Sequence, residues 1–526
     1  MSLLGDLCMY ARFSRALPGF LRHTTTLEEA RAVVRRRLEG RDDAFLRLLE
    51  RGIFGYPRSP YLALLRHAGC EFADVREMVR RRGLEKTLAA LREAGVYVTF
   101  EEFKGRRPIV RGGLELQVRA EDFNNPYLRP HYEARSGGTT GPGTRVPIEL
   151  DQLAARVHQR VLVYEAHGLL DAPTAIWRGL LPEVTGLSNV LQGARMGNVP
   201  RKWYVPATPG RVRQPIRYRL ATWHILVLAR LLGVALPSPE PLPLDRAAVL
   251  ARWAVATARK DGRCLIRCSP SAGVRLALAA REEGLDLSGV TIMGGGEPGT
   301  PGKVAQMLRA GARWIPNYVM SEAGYIGAGC ARPADEGDMH FLKDGLALVQ
   351  HPRTVPGSSI AVDAFYFTTL LPSAPKIMLN TESDDYGVVE ARSCGCPLEA
   401  CGFTEHFRYV RSFGKLTGHG MTLVGTDLVR VLEEVLPARF GGSPLDYQLA
   451  EVEDETGFTR FEILVDPKVP IADEARVADV VLESLAAGPR ELYRQAGTIR
   501  VRRAPPIWTP RTRLLPLHLT RRGRDP

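Results

Sequence analysis

The chain has 526 residues, 45% hydrophobic and 25% charged, and its 71 basic and 58 acidic side chains leave a net charge of +13. That is the make-up of a soluble globular protein with material for one large domain and a smaller one. The basic residues are mostly Arg and are spread along the whole chain, which argues against a nucleic-acid surface; composition bias is the plain reading, and a site for anionic substrates fits equally well.

The longest apolar candidate for a membrane span, Ile225 to Leu236, is too short and contains Arg230. The N-terminus interleaves Arg12, Arg15 and Arg22 with apolar residues and has no compact apolar segment with a cleavage site. Eight cysteines in so long a chain do not make a disulfide framework. A cytoplasmic protein is expected, with neither nucleic acid nor membrane as partner.

Residues 1–95 read as helical, with apolar positions three and four apart through Ala44–Leu49, Tyr61–Leu65 and Leu84–Leu91. From Val96 to about Phe413 short apolar runs alternate with amphipathic helices. Val146–Leu150 is predicted as a strand, and Asp151 as the cap of the helix through Val157, Val161 and Val163. Val290–Met293 is a β-branched run ending in a glycine turn, with a helix from Pro301, and Trp314–Tyr318 is the next strand. This rhythm predicts an α/β sheet with ligand loops at strand ends. Beyond Lys415 a smaller α+β unit is expected: a helix over Asp427–Leu436, strands over Tyr447–Glu453 and Phe461–Val465, and a helix over Ile471–Leu485. The domain reading is therefore 1–414 and 415–526, the second a lid.

Five short segments carry chemistry. Ser136-Gly137-Gly138-Thr139-Thr140-Gly141 is a glycine- and hydroxyl-rich loop that can wrap polyphosphate with backbone N–H groups and hydroxyls. Gly294-Gly295-Gly296-Glu297-Pro298 lets backbone approach a flat ligand. Tyr318-Val319-Met320-Ser321-Glu322-Ala323-Gly324 offers an aromatic face, a hydroxyl and a carboxylate suited to Mg²⁺. Asp385-Tyr386-Gly387 supplies a carboxylate for two ribose hydroxyls, and Gly414-Lys415-Leu416-Thr417-Gly418 has the glycines of a hinge. Alone, a Gly/Thr loop is usually a loop, and Glu322 a surface carboxylate.

In this order the segments resemble the adenylate-forming superfamily, over roughly residues 45–520. The Gly-Gly-Glu-Pro turn, Ser321-Glu322-Ala323-Gly324 followed by Cys330, and Cys394-Gly395-Cys396-Pro397 look most like its phenylacetate–CoA ligase branch. The resemblance implies a large AMP-binding domain with a helical lead-in and a small C-terminal lid, ATP and Mg²⁺ as cofactors, and CoA among the acceptors. It implies that Ser136 to Gly141 cradle the β- and γ-phosphates, and that Gly296, Glu297 and Pro298 line the adenine and acyl pockets. Tyr318 would stack on adenine, Ser321 touch the α-phosphate, Glu322 hold Mg²⁺, Asp385 bind ribose and Lys415 mark the hinge.

Relatives of this branch can carry structural zinc, which implies Cys330, His340, Cys394 and Cys396 as ligands, with Cys401 an alternative; the plain reading is small buried thiols and a hydrogen-bonded His. Where the superfamily carries a C-terminal catalytic lysine, this chain has Arg513, preceded by Thr512 in place of a glycine. Arg keeps the charge in a larger, planar fork.

The expected activity is ATP-dependent activation of an aryl or short acyl acid as acyl-AMP. Transfer to CoA, a carrier-protein thiol, or an amine or hydroxyl follows. The alternatives are a repurposed enzyme that joins a preformed activated acyl group to an acceptor, and a non-catalytic nucleotide binder. A homodimer is compatible with the sequence.

Overall fold

The computed structural model of the chain describes residues 3–135, 145–181, 183, 185–206, 216–355, 359–413, 424, 427–453, 459–483, 499–509 and 511–519. A twelve-stranded sheet organises the larger part. Six neighbouring strands run parallel, in the order Arg313–Met320, Val290–Gly295, Cys264–Cys268, Thr174–Trp177, Lys202–Val205 and Pro239–Pro241. From Arg313–Met320 outward the other half is antiparallel: Gly324–Gly329, Met339–Phe341, Glu405–Ser412, Thr381–Ala391, Ala361–Thr369 and Leu346–Thr354. The strand Arg313–Met320 is thus the seam between the two halves.

The parallel strands are short apolar runs because helices cover them. Val290, Ile292 and Ile266 are buried, and the helices Ala247–Asp261 and Pro270–Glu282 supply Leu250, Ala254, Leu276 and Ala280 to the core they share. Ser269 caps the second of these helices, its hydroxyl accepting from the Ala272 N–H, and Pro270 starts it. The antiparallel half is backed by N-terminal helices, with Phe45, Leu65 and Leu88 packed against Phe365, Phe367 and Phe407. The helical reading of residues 1–95 corresponds to six α-helices, Leu3–Arg22, Leu27–Glu39, Arg41–Leu49, Pro60–His67, Phe72–Arg82 and Leu84–Glu93, with a π-turn at Glu50–Phe54.

A second sheet of four strands has the order Ile499–Arg503, Thr459–Val465, Tyr447–Glu453, Leu517–Leu519. Its apolar face and the helix Glu474–Glu483 share a core with Val362, Ala364 and Tyr366 of the large sheet. The segment expected as one helix over Asp427–Leu436 is instead three pieces, Leu428–Arg430, a π-turn Val431–Val435, and Leu436–Phe440. Pro437 is the cause: it has no N–H for the carbonyl four residues back, and its ring crowds that turn. The expected joint at 414–418, including Lys415, lies outside the described residues.

Candidate active site

One cavity of about 260 Å³ opens at the carboxyl ends of the parallel strands, the place where open α/β sheets present their loops to ligands. Arg178 follows Thr174–Trp177, Arg267 stands near the end of Cys264–Cys268, Gly295 and Gly296 end Val290–Gly295, and Tyr318 to Glu322 close the seam strand. Asp384 and Asp385 reach the same cavity from Thr381–Ala391. The helix Leu150–Ala166 adds Arg156 and Arg160, one turn apart and so on one face.

Glu322 is 3% exposed, and Lys104 Nζ donates to its Oε1 at 2.6 Å. Burial opposes charge on this carboxyl, and the neighbouring Lys104 overrides it, holding the group below its usual range. Tyr318 donates its hydroxyl to Asp385 Oδ2 at 2.6 Å, and its ring meets Phe407 and Phe367 edge-on at 5.7 and 6.2 Å. Burial, reinforced by the Asp385 charge, pushes the phenol well above its ordinary value, so it remains a donor. Asp384 differs from its neighbour: it is buried in the left-handed region at φ 69°, and its carboxylate accepts from the Ser412 hydroxyl at 2.7 Å. The two adjacent aspartates thus have different partners, and Asp385 is the one tied to the aromatic ring.

The C-terminal segment reaches the cavity through Arg511 and Arg513. Ser269 Oγ donates to the Thr512 carbonyl at 2.9 Å, the Leu514 N–H donates to Ser271 Oγ at 3.2 Å, and Lys303 Nζ donates to the Leu514 carbonyl at 3.2 Å. Leu514 packs against Val274 and Leu445. Anchored on both sides, the segment aims Arg513 over Gly296. Burial, with Arg511 and Arg178 beside it, pulls the Arg513 guanidinium down to about 10, and its Nε has no hydrogen-bond partner.

Glu297 points elsewhere. Its carboxylate accepts from the Ser271 N–H at 2.8 Å and the Ser271 hydroxyl at 2.9 Å, and pairs with Lys303 at 3.3 Å. The first turn of the helix Pro270–Glu282 attracts a carboxylate, so this side chain anchors that helix and does not line the cavity. Pro298 is also absent from the lining, where Gly295 and Gly296 stand alone for the turn. Neither Glu297 nor Pro298 lines this cavity, where the resemblance leads one to expect them. Ser321 lines the cavity; Ser136, Gly137, Gly138, Thr139, Thr140 and Gly141 lie outside the described residues.

A second cluster lies behind the seam. The ligand atoms of Cys330, His340, Cys394 and Cys396 all fall within 4.8 Å of one another. His340 Nε2 stands 3.0 Å from Cys396 Sγ and 3.7 Å from Cys394 Sγ, while Nδ1 lies 2.7 Å from the Phe403 carbonyl. Three sulfurs and one imidazole nitrogen at such spacing fit a tetrahedral zinc with Zn–S bonds of about 2.3 Å, and the Phe403 carbonyl fixes the tautomer that leaves Nε2 free to ligate. Cys401 is not in the cluster. Cys264 and Cys268 are fully buried, in keeping with thiols of the core.

No protein-family model and no curated protein matches the sequence. Solved structures do match. One of 2-hydroxyisobutyryl-CoA ligase, in the postadenylation state in complex with R3-HIB-AMP, is 14% identical over 94% of this chain and 90% of that one, with a TM-score of 0.53. A second structure of that ligase, in complex with 2-HIB-AMP, gives 14% identity, 95% and 91% coverage and a TM-score of 0.52. The chain shares the fold of this ligase.

The sequence segments that meet at the cavity are those around Gly296, Tyr318, Glu322, Asp385 and Arg513. Sequence reasoning missed Lys104, which lies 218 residues from the carboxylate it neutralises. It also missed Arg156, Arg160, Arg178 and Arg267. The Arg156/Arg160 spacing was legible as one helix face; the burial of that face was not. Among the described residues no helix is long and apolar enough to cross a membrane.

Proposed function

We propose that the chain activates a carboxylic acid with ATP as an acyl-adenylate and passes the acyl group to CoA, a carrier-protein thiol, or an amine or hydroxyl acceptor. The observation that carries this reading is the meeting of Glu322, Asp385 and Arg513 in one cavity, in a fold shared with a CoA ligase solved with acyl-AMP bound. The phenylacetate–CoA ligase-like branch is supported by the Ser321-Glu322-Ala323-Gly324 motif and by the gathered Cys330, His340, Cys394 and Cys396, which would hold a structural zinc.

The acid's carboxylate oxygen attacks the α-phosphorus, the new P–O bond forms, and the bond to pyrophosphate breaks. Charge builds on the phosphate oxygens, so fixed cations that need no reorganisation lower the barrier. Arg513 is such a cation: it is anchored through its own backbone, its Nε lacks a hydrogen-bond partner, and its low-dielectric setting strengthens each interaction. Glu322 would hold Mg²⁺, which when bound neutralises phosphate charge, with Lys104 released toward the phosphates. Asp385 would accept the ribose hydroxyls while Tyr318 offers its ring to adenine. The small domain would then turn, withdrawing Arg513 so that the acceptor reaches the acyl carbon.

ATP–pyrophosphate exchange over a panel of acids tests the reading. Exchange dependent on one acid class is expected; tight ATP binding with no exchange for any acid would make the chain a nucleotide binder. An enzyme that accepts a preformed acyl-adenylate is the second reading, favoured by the Arg at position 513. It predicts acyl transfer without exchange.

A further inference from the structure

Among the described residues eight cationic side chains line the cavity against four carboxylates, and each of the four has a partner outside one group of arginines. Glu322 pairs with Lys104, Glu382 with Arg353 and the Tyr366 hydroxyl, Asp384 with Ser412 and Asp385 with Tyr318. Arg160 is 9% exposed, and its hydrogen bond is to the neutral Asn189 Oδ1 at 3.1 Å. Arg156 Nη2 is buried without a hydrogen-bond partner. Among the described residues neither these two nor Arg267 has a carboxylate within ion-pair distance. Burial, and then the charge of Arg267 close by, brings Arg160 down to about 9.

Cations that repel one another, Arg160 buried and Arg156 and Arg267 half-buried, cost the fold stability unless a ligand repays them. The surrounding wall is polar as well: Thr185, Ser188, Asn189 and Gln192 come from one face of the helix Thr185–Arg195. An unsubstituted aryl or alkyl group placed here would strip water from guanidinium groups and return nothing. In the sheet order the strand of Arg267 lies two places from that of Tyr318, or roughly 10 Å at the usual strand spacing. That separation matches an acid whose reacting carboxylate lies at the nucleotide side and whose other end extends toward Arg267.

We propose that the acid this chain activates carries a second anionic group (carboxylate, sulfonate or phosphate) and that Arg160 and Arg267 receive it. The inference rests on the adenylation reading for its reaction, while the binding of a dianion is separable from it. ATP's own phosphates are the other source of the same chemistry.

The test is calorimetric titration of the full chain with acids that differ only in the distal charge, terephthalate against benzoate and succinate against butyrate, with ATP titrated separately. In at least one pair the dianion is expected to bind tenfold or more tightly than its partner. Arg267→Gln and Arg160→Gln should each abolish that preference, leave ATP affinity within twofold, and melt no lower than the parent. Arg267→Lys should retain part of it. Absence of any preference for a dianion, including no binding by either member of both pairs, overturns the proposal. So do variants that weaken ATP tenfold while acid discrimination is unchanged, which would assign these cations to the polyphosphate. A dianion that binds through Arg267 but is never adenylated would sink the adenylation reading and leave the anion site standing.

Discussion

The guanidinium of Arg513 lies over the α-carbon of Gly296, so close that a methyl group built there would meet Nη2 at 2.5 Å. Gly296 also has φ 95°, where only glycine is comfortable. The two residues come from the glycine turn and from the loop before the last strand, Leu517–Leu519, so their contact couples the nucleotide side of the cavity to the seating of the C-terminal loop. Gly296→Ala is expected to dislodge Arg513 and lower acyl-adenylate formation as Arg513→Ala does, by about 10²-fold, or roughly 2.7 kcal/mol of lost charge stabilisation. Transfer from supplied acyl-AMP should be nearly unaffected by Arg513→Ala. Single-turnover measurement of both half-reactions checks this, and unaltered adenylation in Arg513→Ala removes the residue from the mechanism.

Thr512 adopts φ 58° while buried, an unusual state for a β-branched residue. The strain lies where the resemblance leads one to expect glycine. Thr512→Gly should stabilise the chain by about 1 kcal/mol by relieving it, and Thr512→Val should not. Urea unfolding curves decide the point. Equal midpoints for Thr512→Gly and the parent would mean that the Thr512 hydroxyl, which donates to the Arg511 carbonyl at 2.6 Å, offsets the strain.

Lys104 and Glu322 form a buried pair whose members are worth more together than apart. Lys104→Ala leaves a carboxylate uncompensated and should cost about 3–5 kcal/mol, unless the site is loaded with Mg²⁺. Glu322→Gln should fold and lose exchange by orders of magnitude together with its Mg²⁺ dependence. A Glu322→Gln enzyme with near-parental exchange would reject the metal role. Because Glu322 titrates below its unfolded value, its contribution to stability is present above the usual carboxylate range and is lost as pH falls through its lowered pKa.

About one equivalent of zinc per chain is expected in protein purified without added metal. Chelation should lower the melting temperature, as should Cys394→Ser or Cys396→Ser, because the ligands tie the Gly324–Gly329 side of the sheet to the loop before Glu405–Ser412. Elemental analysis with no zinc, and serine variants as stable as the parent, would leave only buried thiols.

How much of this was legible beforehand depended on locality. The strand Tyr447–Glu453 has the expected bounds, and the Val290 and Trp314 strands differ from expectation only in length; the β-branched run of the first, ended by glycine, is a local signal. The helix at 150–166 begins at Leu150 with Glu149 before it, ahead of the expected Asp151 cap, because Leu150 is itself core and the N–H of Leu150 bonds to His131 Nδ1 at 3.0 Å. The partners of Glu297 were not legible, because a carboxylate beside a glycine turn carries no sign of which neighbour it will face; Ser271 and Lys303 decide it. Arg160 and Arg267 were invisible for the converse reason. Arginines abound in this chain, and only the folded sheet shows which of them are shut away from carboxylates.

The most direct measurement is detection of the adenylate itself. The chain is incubated with ATP, Mg²⁺ and the acid that binds best, quenched, and analysed by mass spectrometry for acyl-AMP alongside pyrophosphate release. The account predicts equal yields of acyl-AMP and pyrophosphate, formed by the parent and formed about 10²-fold more slowly by Arg513→Ala. A parent chain that binds ATP and the acid yet forms no acyl-AMP would contradict it.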